Sequence, residues 1–216
     1  MKNYKHILFD LDGTLTDSQP GIFSSLKYSL RYFGINEDSE ERLRRMIGPP
    51  LAQSFTEFYG FDTKKAQEAL IKYREVYSVT GIYENSVYKG IPRLLDSLRS
   101  AGMNLILATS KPESFAIRVI EHFDLYKYFS YISAGDMEQR HSEKADIIRK
   151  AITANNTTNT KNAIMIGDRR FDINGAAVCG IDSVGVLYGY GSREELTQAG
   201  ATYIAEKVED ISSILL

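Results

Sequence analysis

The stretch His6-Ile7-Leu8-Phe9-Asp10-Leu11-Asp12-Gly13-Thr14-Leu15-Thr16-Asp17-Ser18 decides the fold. Its first four residues form a short, mostly apolar run. Parallel strands covered by helices on both faces read as such runs, so His6 to Phe9 predicts a buried strand. The run ends in two carboxylates two residues apart, followed by Gly13 and Thr14. Asp10 and Asp12 are thereby placed where the chain leaves a sheet. In open α/β sheets, ligands bind outside the carboxyl ends of the strands. An acidic turn alone also uses Asp and Gly, so the rest of the chain has to decide between the two.

Working outward, four more runs of strand character follow: Asn104 to Ala108, Tyr128 to Ser133, Ala163 to Ile166 and Ser183 to Leu187. Helical patterns separate them, at Pro92 to Ser100, about Pro112 to Glu121, Ser142 to Ala154 and Phe171 to Cys179. Ser192 with Glu195 fits a capping box for a further short helix. Alternating strands and helices predict an α/β fold, a doubly wound (Rossmann-like) parallel sheet. The first gap differs. Between Asp17 and Val87 only helical signals occur. Ser18 and Pro20 open a helix that ends before Gly34, and Ser39 opens a second that stops at Gly48-Pro49-Pro50. A third spans Leu51 to Tyr59. Asp62 caps a fourth that continues to about Val79. The expected organisation is therefore an α/β core of residues 1–16 and 88–216, with an all-helical domain of residues 17–87 inserted after the first strand.

Composition narrows the function classes. The 216 residues are 43% hydrophobic and 25% charged, ordinary globular values that exclude disordered, collagen-like and coiled-coil chains. No segment approaches the roughly 20 apolar residues that span a bilayer, so no membrane association is expected. A formal net charge of −2 without a basic block argues against nucleic acid as a partner. The start Met1-Lys2-Asn3-Tyr4-Lys5 lacks the pattern of a signal peptide, and Cys179 is the sole cysteine. Both favour a cytoplasmic location. A small-molecule ligand and a monomer or weak homodimer are expected.

Three further motifs lie at strand ends. Ala108-Thr109-Ser110-Lys111-Pro112 brings hydroxyls and free N–H groups to a helix start, a natural phosphate site, although Thr and Ser are also ordinary N-caps. Lys144 lies near the start of its helix, where a cation opposes the helix dipole. That hints at another partner; taken alone, a solvated surface lysine is the commoner case. Ile166-Gly167-Asp168-Arg169-Arg170-Phe171-Asp172 adds two carboxylates to the same edge. Four gathered aspartates repel one another without a cation. Hard oxygen ligands beside a phosphate suit Mg²⁺.

These four motifs in this order resemble the haloacid dehalogenase-like superfamily over nearly the whole chain. The first motif is the most specific. The helical insert resembles that superfamily's α-helical cap. Asp12 to Ser18, the segment Arg44-Arg45-Met46-Ile47-Gly48-Pro49-Pro50 and the late Tyr188-Gly189-Tyr190-Gly191-Ser192 are most similar to the phosphoglycolate phosphatase and bacterial 5′-nucleotidase-like branch.

The resemblance implies Mg²⁺-dependent hydrolysis of a small phosphate monoester, with 2-phosphoglycolate or a nucleoside 5′-monophosphate as best substrates. Asp10 would be the nucleophile that forms an aspartyl-phosphate, and Asp12 the leaving-group acid and water-activating base. Mg²⁺ would be held by Asp10, the Asp12 carbonyl and Asp168, with Asp172 as an outer or additional partner. Thr109, Ser110 and Lys144 would bind phosphoryl oxygens. Dehalogenases of the superfamily lack the acid at the Asp12 position, so Asp12 favours phosphoryl transfer over C–halogen cleavage. The alternatives are a sugar phosphomutase of the same superfamily and a regulatory protein that keeps the pocket without turnover. In the insert, Arg45 or Arg44 is the candidate for touching substrate, weighed evenly against a solvated helix face. His141 reads as a surface group more than a catalyst, and Cys179 as a buried inert thiol. The hinges of the insert are expected near Thr16 to Gln19 and Tyr83 to Lys89.

Overall fold

The computed structural model describes residues 3–138, 143–157 and 159–216. The chain divides into two compact units, residues 1–16 with 87–216, and residues 17–86.

The first unit is built on six parallel strands. They are β1 (His6–Phe9), β4 (Asn104–Pro112), β5 (Tyr131–Gly135), β6 (Ala163–Gly167), β7 (Asp182–Val186) and β8 (Tyr203–Ala205). Their spatial order is β5-β4-β1-β6-β7-β8. The chain thus winds outward from β1 to one edge, returns, and winds to the other. The strand order reverses between β1 and β6, which leaves a crevice at their carboxyl ends. Two short strands, β2 (Thr16–Asp17) and β3 (Ser86–Val87), pair where the chain passes between the units.

Helices cover both faces. They are α5 (Ile91–Ser100), α6 (Glu113–His122), α7 (Lys144–Ala154), α8 (Arg170–Val178), α9 (Arg193–Gln198) and α10 (Val208–Leu215). On one face Leu8, Ile106, Ala108, Ala163 and Met165 pack with Ile147, Ile148 and Ala151 of α7 and Ala176 of α8. The intervening strand residues Ile7, Phe9, Leu105, Leu107, Ile164 and Ile166 are equally buried. Successive strand side chains point to opposite faces, so this sheet is dry on both. That is why its strands read as unbroken apolar runs. Small residues on α8 let α7 approach closely; a Cβ on Gly175 would lie 2.9 Å from Cγ of Lys144.

The second unit holds α1 (Gln19–Tyr32), α2 (Glu40–Arg45), α3 (Leu51–Tyr59) and α4 (Thr63–Val76), which widens into a π-helical turn over Tyr77–Gly81. The expected caps form. Ser39 Oγ accepts from Arg42 N, and Asp62 Oδ1 accepts from Lys65 N. Phe55 and Phe61 stack at 6.0 Å, with Phe33 edge-on to Phe61 at 5.0 Å, which makes a small aromatic core. Ser29 Oγ ties α1 to α4 by donating to Ala69 O at 2.7 Å.

Three features depart from expectation. The third core strand starts at Tyr131, not Tyr128, because Tyr126–Tyr128 form a 3₁₀ turn. The fourth helix of the second unit keeps α geometry only to Val76. Strand β8 and helix α10 were not anticipated; a three-residue strand is too short to show periodicity. The expected helix start at Ser142, and His141, lie outside the described residues. Among the described residues no helix is long and apolar enough to cross a membrane.

Candidate active site

Asp10 directly follows β1, Asp168 directly follows β6, and Asp172 sits in the first turn of α8. The crevice between β1 and β6 therefore collects three carboxylates from two adjacent strand ends. One oxygen from each lies within 4.8 Å of the others, and all three residues are buried. Among the described residues, this is the group of acids placed to hold a metal ion.

Lys144 answers the charge from the opposite side. It is the first residue of α7, and its side chain is 4% exposed. Nζ lies 2.8 Å from Asp10 Oδ1 and 2.8 Å from Asp172 Oδ1, and it donates to Ala108 O at 3.1 Å. The cation at the wrong end of its helix is thus explained by two carboxylates stronger than the dipole. Their proximity holds the Lys144 pKa above its ordinary value despite burial. Burial pushes the Asp10 carboxyl up to about 6; Lys144 opposes this, and Asp172 adds to it. Asp168 is also raised, by burial and then by Asp172 and Asp10.

Asp168 and Asp172 are fixed by backbone. Asp168 Oδ2 accepts from Tyr190 N at 2.8 Å, and Asp168 Oδ1 from Thr14 Oγ1 at 3.4 Å. Asp172 Oδ2 accepts from Arg169 N at 3.1 Å. Close approach needs glycine here. A Cβ on Gly13, whose φ is +82°, would fall 2.2 Å from Asp168 Oδ2. A Cβ on Gly189 would fall 2.2 Å from Gly13 O. Tyr188 Oη donates to Thr14 O at 3.0 Å and completes the clasp between the first motif and this late loop.

Asp12 stands apart from the three-acid group. Its Oδ2 lies 2.6 Å from Lys111 Nζ. Thr109 is buried in β4, just before the strand's register shift, and its Oγ1 accepts from Lys111 N at 3.2 Å. Ser110 beside it is half-buried. Arg45 belongs to the second unit, with its guanidinium 5.0 Å from the Phe58 ring centroid, and Arg44 Nε donates to Gln19 Oε1 at 3.1 Å. The sequence alone points to no role for Lys111 or Tyr190; Lys111 stands where the pattern reads as a helix start, yet it lies within β4. Cys179 is half-buried, not fully buried, with its Sγ 3.3 Å from Ala145 O. His6 lies beside the Asn104 side chain at the opposite end of β1 from Asp10, outside the site.

A switch-point crevice lined by carboxylates and a buried lysine is the arrangement of an α/β enzyme. The model of the family described as haloacid dehalogenase-like hydrolase matches residues 7–186. The chain belongs to that family, and within it is a hydrolase of the phosphatase type. It is 41% identical over 212 residues to a 5′-nucleotidase of Pseudomonas aeruginosa, covering 98% of this chain and 96% of that protein. It is 36% identical over 198 residues to the tyrosine-protein kinase PtkA of Mycobacterium tuberculosis, covering 92% of this chain and 67% of that protein. A solved structure described as a predicted phosphatase from Clostridium acetobutylicum superposes with a TM-score of 0.95, at 45% identity and 99% coverage of both chains.

Proposed function

We propose that the chain is a Mg²⁺-dependent phosphatase that hydrolyses a small phosphate monoester, a nucleoside 5′-monophosphate or 2-phosphoglycolate, through an aspartyl-phosphate on Asp10. The observation that carries the reading is the buried cluster of Asp10, Asp168 and Asp172 around Lys144 at the β1/β6 switch point.

The donor set fits the metal. Three buried carboxylates and the carbonyls beside them are hard oxygen ligands, and Mg²⁺ takes one or two carboxylates while keeping waters. When bound, Mg²⁺ neutralises charge on the phosphoryl oxygens. The chain's own residues do the rest. An Asp10 oxygen attacks phosphorus as the bond to the ester oxygen breaks. Asp12 gives its proton to the departing alkoxide. Its carboxylate then takes a proton from water as that water attacks the aspartyl-phosphate, which releases inorganic phosphate and frees Asp10. Thr109, Ser110 and Lys144 bind the phosphoryl oxygens, and Lys144 also offsets the charge beside Asp10. Such a reaction needs positioning and charge neutralisation above all. The helical unit of residues 17–86 serves as the cap that selects the leaving group, with Arg45 as its contact. The similarity to a 5′-nucleotidase, over nearly that protein's full length, supports a nucleoside 5′-monophosphate as the first substrate to test.

The test is phosphate release over nucleoside 5′-monophosphates, phosphoglycolate, hexose phosphates and an aryl phosphate, with Mg²⁺ and with EDTA. Mg²⁺-dependent release is expected. Isomerisation of β-glucose 1-phosphate without release would instead establish a mutase.

Metal binding has a second signature. Asp10 and Asp168 carry raised pKa values, so their charged forms oppose folding in the metal-free protein. The stability they contribute is present at low pH and is lost as pH rises through about 6 for Asp10. A cation relieves that repulsion where the acids are charged, and protons compete with it where they are not. At about 100 times its Kd, Mg²⁺ is expected to stabilise the protein by about 2.7 kcal/mol near pH 8. The increment should shrink steadily toward pH 5. Thermal melts with Mg²⁺ and with EDTA across that range measure it; a pH-independent increment would place the metal away from these acids.

A further inference from the structure

We propose that Lys111 is a positioning residue for Asp12. It clamps one oxygen of the Asp12 carboxylate, so that the protons exchanged with the leaving group and then with water pass through the other. This rests on the phosphatase reading above and deepens it.

The two oxygens of Asp12 are unequal. Lys111 Nζ lies 2.6 Å from Oδ2, with the two side chains only 6% and 16% exposed. Oδ1 is buried and has no hydrogen-bond partner. A buried carboxylate oxygen left unpaired costs free energy unless something else comes to it. The nearby cation Lys144 is committed to Asp10, Asp172 and a carbonyl. The two buried lysines thus divide the acids: one serves the nucleophile, the other the acid/base. Lys111 is delivered by the far end of β4, two residues beyond Thr109, and its own N–H donates to Thr109 Oγ1. The same turn therefore sets a phosphoryl-binding hydroxyl and the tether of the acid.

A long buried ion pair fixes a short side chain in one rotamer, and proton transfer demands hydrogen-bond reach in a fixed direction. In the first half-reaction the proton on Oδ1 moves to the ester oxygen as its bond to phosphorus breaks. In the second, Oδ1 takes a proton from the attacking water as the bond between Asp10 and phosphorus breaks. Oδ2 stays on Lys111 throughout, and no other reactant is needed.

The test compares Lys111→Met and Lys111→Arg with the wild type by rapid mixing with Mg²⁺. The substrates are p-nitrophenyl phosphate and a nucleoside 5′-monophosphate. The aryl ester leaves without a proton; the alkyl ester does not. In Lys111→Met the first step on the nucleotide should slow by about tenfold to a hundredfold, a part of the roughly 10²–10⁴ that a positioned acid or base contributes. The p-nitrophenol burst should keep its rate, while its steady state slows and phosphoenzyme accumulates. Lys111→Arg should recover part of both losses. Equal slowing of both first steps would make Lys111 a phosphoryl-binding cation and overturn the proposal, as would unchanged kinetics. Should Lys111→Met fail to fold, Lys111→Arg decides by the same comparison, with a smaller fall weighted to the nucleotide. No release by the wild-type chain would remove the phosphatase reading itself; a normal wild type with uniform losses removes only this proposal.

Discussion

Asp10→Asn is expected to abolish turnover while leaving the protein folded and at least as stable. The amide keeps the size of the carboxyl and can still accept from Lys144, but it cannot attack phosphorus. Loss of a nucleophile that acts in concert with its neighbours costs on the order of 10⁵ or more in kcat. Stability should move the other way. Asp10 is buried, its carboxyl is pushed up to about 6, and Asp172 and Asp12 raise it further against the pull of Lys144. Removing its charge relieves desolvation and leaves Lys144 paired with Asp172. The melting temperature in EDTA should therefore equal or exceed that of the wild type near pH 8, and the difference should shrink as pH falls through about 6 and vanish only below the ordinary value of 3.8, where Asp10 is protonated in both the folded and the unfolded states. Phosphate release, acid-quench trapping of phosphoenzyme and a thermal melt measure the three parts. Substantial residual turnover with trapped phosphoenzyme would assign the nucleophile elsewhere.

The stretch from His6 to Ser18 made both the first strand and its acids legible, because a dry parallel strand must be apolar and must then break into polar residues at its end. The same logic exposed Asp168 after Ala163 to Ile166. The helical boundaries were legible where side chains announce them, at Ser39, Asp62 and Ser192, each of which caps its helix. What stayed hidden was pairwise. No pattern in the sequence says that Tyr190 N meets Asp168 or that Lys111 meets Asp12, since these contacts join residues 22 and 99 positions apart. Read from its own residues, Lys144 is an anomaly, a cation against a helix dipole; the family resemblance supplies a reason, a charge beside Asp10, and the structure adds Asp172 as a second partner. Strand β8 escaped because three residues at a sheet edge carry too little periodicity to stand out.

Lys144→Met is the substitution expected to cost most in stability. The methionine fills the stem's volume along Gly175 but removes the cation between Asp10 and Asp172. Breaking a buried ion pair from one side leaves uncompensated charge, an effect of about 3 kcal/mol or more near pH 8 in the absence of metal. The sign with pH follows from both partners. Lys144 has a raised pKa, so the stability it supplies is fully present below its ordinary value of 10.5 and is lost only above it. The wild type therefore keeps this contribution across neutral pH. In the variant Asp10 loses the cation that holds its pKa down, so its pKa rises further. Its penalty is absent below the ordinary carboxylate range and grows as pH climbs through the folded-state value. The variant should accordingly gain stability on the wild type as pH falls from 8 to 5, the reverse of a protein held by surface ion pairs. Mg²⁺ should recover more of the loss at pH 8 than at pH 5, because it offers those acids a second cation. Turnover should stay low even in saturating Mg²⁺, since in the proposed reaction the metal restores charge but not the ammonium that would bind the phosphoryl oxygens. Denaturant unfolding at several pH values, with Mg²⁺ and with EDTA, separates these effects. A loss of stability independent of both pH and metal would mean that Lys144 acts through packing alone.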